Sequence, residues 1–284
     1  ITKKLFCIVG VWLIAASIAV LLPSMNISCG SDIVPPQPPP QGSEKSDFNI
    51  RLNGGNSTLG EGGVGGIVML IAGGPGAVSI GAANPGMPEV PDVSGAPGPD
   101  TAGACVITGT TLFSTLDGSG PPCDNDGVAN QLTATGDVVI VGSLILGADS
   151  VITTLGGNNL DINVTRSGSI VGPSFDITLH ATGNIYMQGS INTSGDDDDV
   201  GNGGDGGGVA LVTDDAASPG GTGSIIITGK VDTHGGNHTG TGATGSSGGI
   251  GGDVLLWADD DGGVVPAPVV AIIGHSPSII TSGG

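Results

Sequence analysis

Apolar residues in this chain come in short bursts in which every second position is Val, Ile, Leu or Met, and glycine separates one burst from the next. Alternation at period two marks a strand with one buried face. From Gly136 onward it predicts strands at 138–141, 144–146, 160–164, 177–180, 185–188, 209–212, 225–228 and 254–257. The bursts repeat. One pattern, Gly-Gly-x-Gly-Gly-x-Val-x-Leu, lies within 62–72, 203–213 and 248–258, with its aliphatic pair at Val68 and Leu70, Val209 and Leu211, and Val254 and Leu256. A second, Gly-x-(Val/Ile)-x-(Ile/Met)-x-Gly, begins at Gly136, Gly183 and Gly223. Its last two copies run on to Ile191-Asn192-Thr193-Ser194-Gly195 and Val231-Asp232-Thr233-His234-Gly235, and Ile279–Gly283 has the form of another such tail.

Strands this short cannot bury a face alone. Stacking equivalent Val-x-Leu units coil upon coil hides them in a continuous aliphatic column, which is the logic of a solenoid. The glycines flanking each strand supply the positive φ that a tight corner asks for. The expectation is an all-β chain folded as a right-handed parallel β-helix with Gly- and Asp-rich loops. An antiparallel β-sandwich is the alternative, and parallel pairing of equivalent valines separates the two.

Composition narrows this further. The 284 residues include 56 Gly and 19 Pro, so nearly every stretch that could have been a long helix is interrupted. Glycine keeps no three-residue period along the chain, which excludes collagen. Aliphatic residues are plentiful enough to exclude wholesale disorder. Aromatics are scarce, with two Trp, one Tyr and four Phe, so there is little material for a stacking platform. The formal net charge is −20, from 26 acidic residues against six Lys and Arg. Such a chain repels phosphate backbones, and nucleic acid is excluded as a partner.

The chain divides into five parts. Residues 1–28 have the three zones of an export signal: Lys3-Lys4, an apolar run from Leu5 to Leu22, then Pro23 and small polar residues. Residues 29–47 hold the Pro-rich run Val34–Gln41, an extended tether. Residues 48–82 carry the first Gly-rich repeat and 136–284 the others. Between them, 83–135 form a Pro- and Gly-rich insertion holding Cys105 and Cys123, which close a disulfide in an exported protein, worth roughly 3 kcal/mol in the chain-entropy estimate.

Ile27-Ser28-Cys29-Gly30 resembles the lipobox of bacterial lipoproteins, which implies lipidation at Cys29 and attachment to a membrane. Ordinary cleavage nearby, or an uncleaved anchor, is the alternative.

Calcium is the candidate cofactor. Gly248-Gly249-Ile250-Gly251-Gly252-Asp253-Val254-Leu255-Leu256 fits one RTX nonapeptide, whose turn aspartate binds Ca²⁺ between coils. Asp214-Asp215 and Asp259-Asp260 occupy the same repeat position, so stacking would bring them close to one another. Most of the acidic residues read as solvated turns. For catalysis there is less: Arg166 and Lys230 have no clustered partners, and His180, His234, His238 and His275 lack metal-ligand spacing.

The runs Gly-Gly-x-Gly-Gly-x-Val-x-Leu and Gly-Ser-Ile-x-Ile-x-Gly-x-Val-x-Thr-x-Gly-Gly resemble the Gly-rich repeats of large bacterial surface proteins and adhesin-like lipoproteins over residues 48–82 and 136–284. The resemblance implies a cell-envelope protein, at the outer membrane or cell surface, with a structural or adhesive role toward an extracellular surface or glycan and without catalytic residues. A polysaccharide lyase or glycosidase on a β-helix scaffold is the alternative.

Overall fold

A computed structural model describes residues 50–72, 77–81, 103–116, 123–124, 128–155, 160–213, 223–240, 246–258, 269–273 and 279–280. The chain forms two compact units, Ile1–Lys45 and Ser46–Gly284, and every described residue lies in the second. Cys29, Asp214, Asp215, Asp259 and Asp260 lie outside the described residues.

The architecture is all-β: three seven-stranded sheets built by a chain that visits them in rotation. Near its start it forms β1 (Ile50–Arg51), β2 (Val68–Ala72) and β3 (Ala77–Gly81). Next come β4 (Cys105–Ile107), β5 (Thr110–Leu112) and β6 (Cys123–Asp124). Four coils follow in turn: β7 (Gln131–Ala134), β8 (Val138–Ile140) and β9 (Ser143–Ile145); β10 (Ser150–Thr154), β11 (Ile162–Val164) and β12 (Ser169–Val171); β13 (Ile177–Ala181), β14 (Ile185–Met187) and β15 (Ser190–Asn192); β16 (Val209–Thr213), β17 (Ile225–Ile227) and β18 (Lys230–Asp232). The last strands are β19 (Val254–Ala258), β20 (Val269–Ile273) and β21 (Ile279–Ile280).

Sheet 1 has the order β2-β19-β16-β13-β10-β7-β6, sheet 2 β3-β20-β17-β14-β11-β8-β4, and sheet 3 β21-β1-β18-β15-β12-β9-β5. Pairing between neighbours is parallel except where β6 meets β7. The β-sandwich alternative is therefore excluded, since a sandwich would pair these strands antiparallel.

Each sheet contributes a column of stacked aliphatic side chains to the interior. In sheet 1 it runs Leu132–Ile152–Leu179–Leu211–Leu256, all fully buried. In sheet 2 it runs Val138–Ile162–Ile185–Ile225–Val270, and in sheet 3 Leu144–Ile170–Ile191–Val231–Ile50. Short branched residues suit this arrangement because each sits about 4.8 Å above its equivalent, a spacing that leaves no room for large side chains out of register.

Sequence order and spatial order diverge at one place. The N-terminal strands do not begin the stack; they finish it. β1 inserts between β18 and β21 in sheet 3, while β2 and β3 lie beyond β19 and β20 at the edges of sheets 1 and 2. The first and last coils are thus interleaved, and Arg51 on β1 makes an ion pair with Asp232 on β18 at 3.7 Å. One consequence is that the three Gly-Gly-x-Gly-Gly-x-Val-x-Leu copies are neighbours in register: Val68 pairs with Val254, which pairs with Val209.

The opposite end is closed. Phe113, in a single 3-10 turn at Phe113–Thr115, is 3% exposed, and Leu116 packs against the core beside it. A disulfide joins Cys105 on β4 to Cys123 on β6, as the cysteine pair implied.

The glycine repeats do something other than turn corners. Three excursions, 193–208, 233–253 and 52–67, leave sheet 3 and return to sheet 1, and their described parts lie side by side. Gly203 and Gly206 donate backbone hydrogen bonds to Ser247 and Ile250, whereas Gly204 and Gly207 donate to Asp196 and Thr193. Gly248 and Gly251 donate to Glu61 and Val64, and Gly249 and Gly252 to Gly236 and Thr233. Donors therefore repeat every three residues toward one neighbour, with the next position serving a second neighbour. Three residues per turn without internal hydrogen bonds is polyproline II geometry, here used by glycine to pack chain against chain. In the 203–208 and 248–253 copies two positions of each Gly-Gly-x triplet face neighbours, and a Cβ at Gly236 or Gly249 would fall on the carbonyl oxygen of Asp196 or Gly204. The third position faces out: Val64 is 68% exposed, Ile67 60% and Ile250 44%. Positive φ among the described glycines is confined to Gly103 and Gly109, so the corner expectation for the repeat glycines is replaced by close approach.

Candidate functional site

The acidic side chains explain themselves once the coils are stacked. Each coil presents backbone N–H groups at its corners that no strand partner satisfies, and the coil before it supplies an Asp or Asn oxygen. Asp137 Oδ1 accepts from Asp161 N–H at 2.9 Å and Asp161 Oδ1 from Asn184 N–H at 2.6 Å. Asn184 Oδ1 accepts from Ser224 N–H at 3.0 Å, and Ser224 Oγ from Val269 N–H at 3.1 Å. A second ladder runs at the entry to sheet 1, where Asp149 Oδ1 accepts from Asp176 N–H and Asp176 Oδ1 from Gly208 N–H. Gly208 breaks it; Asp253 resumes it by accepting from Ile67 N–H at 2.8 Å. In the glycine lobe, as the three side-by-side excursions 52–67, 193–208 and 233–253 are termed, Asp197 Oδ1 accepts from Asn237 N–H and Asn237 Oδ1 from Asn56 N–H.

Asp253, the residue that the RTX-like nonapeptide singles out, is thus a rung of a corner ladder and the exposed third position of a glycine triplet. Among the described residues, no group of three or more His, Cys, Asp or Glu could hold a metal ion. Asp198 turns back on its own loop, where the N–H groups of Gly201 and Val200 hold its carboxyl below the usual range. His234 Nδ1 lies 2.6 Å from Asp232 Oδ1, while His238 is buried with Nδ1 2.6 Å from the Gly201 carbonyl oxygen. The two histidines serve different partners. Arg166 and Lys230 are both exposed.

One ladder carries an electrostatic cost. Burial pushes the Asp161 carboxyl up to about 6, and the Asp137 charge adds to that, against hydrogen bonds from Asn184 that lower it. Its neighbour Tyr186 is pushed up to about 12, mainly by burial and secondly by the Asp161 charge. A raised carboxyl favours the protonated fold. Asp161 therefore contributes most to stability below pH 3.8, its ordinary value, and that contribution disappears as pH rises through 6. Asn184 shows that an amide fits the next rung. Asp161→Asn is accordingly expected to raise stability at pH 7 by roughly 1–2 kcal/mol, to gain nothing near pH 3.5, and to flatten the pH dependence between them. Urea midpoints across that range check it, and an unchanged slope would count against it.

Beside the second ladder lies a groove of about 400 Å³ on the outer face of sheet 1. Thr178, Ala210 and Leu255 form its floor, Ile67 and Met69 one wall, and Asp176 and Asp253 lie on its rim, with Gly208 opening a gap in the acidic row. Among the described residues the lining holds aliphatic surface and carboxylates, with no His, Lys, Arg or Cys. Its chemistry suits binding of an apolar group flanked by positive charge. Sequence reasoning did not anticipate it, because Asp176 is not part of any repeat motif. The signal available was Gly208 standing where Asp176 and Asp253 stand in the neighbouring coils.

Compared with known proteins, the chain matches no family model, no curated protein and no solved structure.

Proposed function

We propose that this is an exported, lipid-anchored β-solenoid of the bacterial cell surface with a structural or adhesive role, its coils winding as a right-handed β-helix. The handedness follows the strong preference of crossover connections between parallel strands. The observation that carries the role is how the described acids are used: those of the ladders accept backbone hydrogen bonds from the next coil, which is the work of a scaffold. The sheet 1 groove and the glycine lobe are then its display surfaces. The N-terminal apolar run, the Cys29 motif and the Pro-rich tether support attachment with the folded part held off the membrane.

Two measurements test this reading. Mass spectrometry of the protein expressed in a bacterium with a lipoprotein pathway is expected to show acyl chains on an N-terminal Cys29; an unmodified cysteine or cleavage elsewhere would overturn the anchor. Incubation with a panel of neutral and acidic polysaccharides, with millimolar Ca²⁺ present, is expected to release neither reducing ends nor unsaturated products. Release that Asp176→Asn abolishes would establish the enzyme reading instead.

A further inference from the structure

The outer faces of the three sheets differ. In sheet 3 the outward residues Ser143, Ser169, Ser190 and Lys230 are half-buried or exposed, and so are Leu255 and Met69 in sheet 1. In sheet 2 the outward row is Val139–Asn163–Tyr186–Ile226–Ala271, paired in register, and every member is 5% exposed or less. Its four hydrophobic members stand apart from the interior cluster. Asn163 Oδ1 is buried there with no hydrogen-bond partner among the described residues, so water is kept even from a polar group. Sheets 1 and 3 lie behind this face and the glycine lobe runs between those two, so its cover comes from residues outside the described ones.

From this we propose that the outer face of sheet 2 is the docking site of this chain's own segment 82–102, laid along it as an extended Pro-rich strand. Three observations select that occupant. The segment joins β3 to β4, which are the two end strands of sheet 2, six strand spacings or about 29 Å apart. Because the strands are parallel, the chain leaves β3 on one long side of the sheet and enters β4 on the other, a diagonal of about 34 Å over the buried row. Residues 82–102 span roughly 65 Å at about 3.1 Å each, so they reach with length to spare. The way round the other side passes the outer faces of sheets 3 and 1 and the glycine lobe, and leaves the sheet 2 row bare. Secondly, the other connections from sheet 1 to sheet 2 that hold residues outside the described ones, at 73–76, 156–159, 214–222 and 259–268, each stay within one coil, whereas 82–102 passes every coil. Thirdly, Pro85, Pro88, Pro91, Pro97 and Pro99 favour polyproline II, and Met87, Val90, Val93 and Ala96 recur every third residue, on one face of such a chain. Glu89 and Asp92 fall on a second face and Pro88, Pro91 and Pro97 on the third. The apolar face matches the apolar row it covers.

Tyr186 is the single tyrosine of the chain and reports on the cover. Nitration of the full chain in mild detergent with tetranitromethane, read by mass spectrometry, is expected to be slow in the wild type. Met87→Ser/Val90→Ser/Val93→Ser is expected to speed it at least about tenfold, whereas Glu89→Ser/Asp92→Ser, on a different face of the segment, leaves it unchanged. In the triple variant the ultraviolet titration of the tyrosine should also move down from about 12 toward 10.0, as burial of its hydroxyl is relieved. Unaccelerated nitration in the triple variant, or equal acceleration in both variants, would overturn the proposal. Should the triple variant lose its native far-UV spectrum, photo-methionine in the otherwise unchanged chain decides. Residue 87 is then expected to cross-link to Ile162–Val164, Ile185–Met187 or Ile225–Ile227 of sheet 2. Cross-links from it confined to sheets 1 and 3 or the glycine lobe, or none at all, would overturn the proposal as well.

Discussion

Alanine at Gly249 or Gly252 is expected to destabilise the protein by about 3 kcal/mol or more, whereas alanine at Ile250 between them changes stability by less than about 1 kcal/mol. The added methyl at Gly249 meets the Gly204 carbonyl, and at Gly252 the Gly207 carbonyl. Both are backbone atoms of a neighbouring segment. No rotamer change relieves such a contact; the segments must separate, and the hydrogen bonds from Gly249 to Gly236 and from Gly252 to Thr233 weaken with them. Ile250 faces solvent and has no such neighbour. An alanine scan across 248–253, read by denaturant midpoints, should give sensitive positions at Gly248, Gly249, Gly251 and Gly252 and a tolerant one at Ile250. Asp253→Ala should lie between, because it removes the acceptor for Ile67 N–H without creating a clash. Uniform tolerance would mean that the lobe is a set of independent loops.

That threefold pattern is present in the sequence, but only locally. Glycine has no three-residue period across the whole chain, yet Gly62-Gly63-Val64-Gly65-Gly66-Ile67 and its two counterparts each keep one for six residues. A local period of three and a following period of two mark the switch from glycine lobe to strand, and reading both gives the lobe and sheet 1 together. The strands themselves were legible where alternation was strong, as at Ile177–Ala181 and Val254–Ala258. They were hard to see at Ser150–Thr154 or Ser169–Val171, where Ser and Thr occupy positions that the stack buries or half-buries. Register of the three long repeats was legible too, because identical side chains stack best on one another. Their spatial order was not. Nothing in Val68-x-Leu70 says whether it precedes or follows Val254-x-Leu256; the arrangement depends on which coil has an open edge once the others have formed.

The same reasoning explains the acids. As single residues, Asp137, Asp161 and Asn184 look like solvated turn residues, and the steps of their ladder, 24, 23 and then 40 residues on to Ser224, are unequal because the loops between coils vary in length. Only stacking shows that each faces an N–H of the next coil. A ladder position is therefore readable as "Asp or Asn one or two residues before a strand", a rule that Asp149, Asp161 and Asp253 all meet.

Ile50→Ala is expected to cost about 2–5 kcal/mol, as much as an equivalent truncation in the middle of the stack. Ile50 is fully buried, with Val231 on one side and Ile279 on the other in the sheet 3 column. A terminal strand laid on the outside of a finished solenoid would cost far less, since frayed ends carry little of the global stability. Interleaving changes this. Removing the Ile50 side chain leaves a void between two coils that are remote from it in sequence, and it loosens β21, whose partner in sheet 3 is β1. The pairing of residue 50 with residue 231 also closes a very long loop, so β1 to β3 have no edge to dock on until β18 to β20 exist. Refolding should then show the N-terminal amides gaining protection together with those of β19 and β20, and after those of β10 to β15. Chain truncated after residue 252 should leave 50–81 open to protease while the coils from β7 to β15 stay resistant. Early protection of Ile50, or resistance of 50–81 in the truncated chain, would show that the N-terminal segment folds without β19 and β20, the strands that β2 and β3 pair with here.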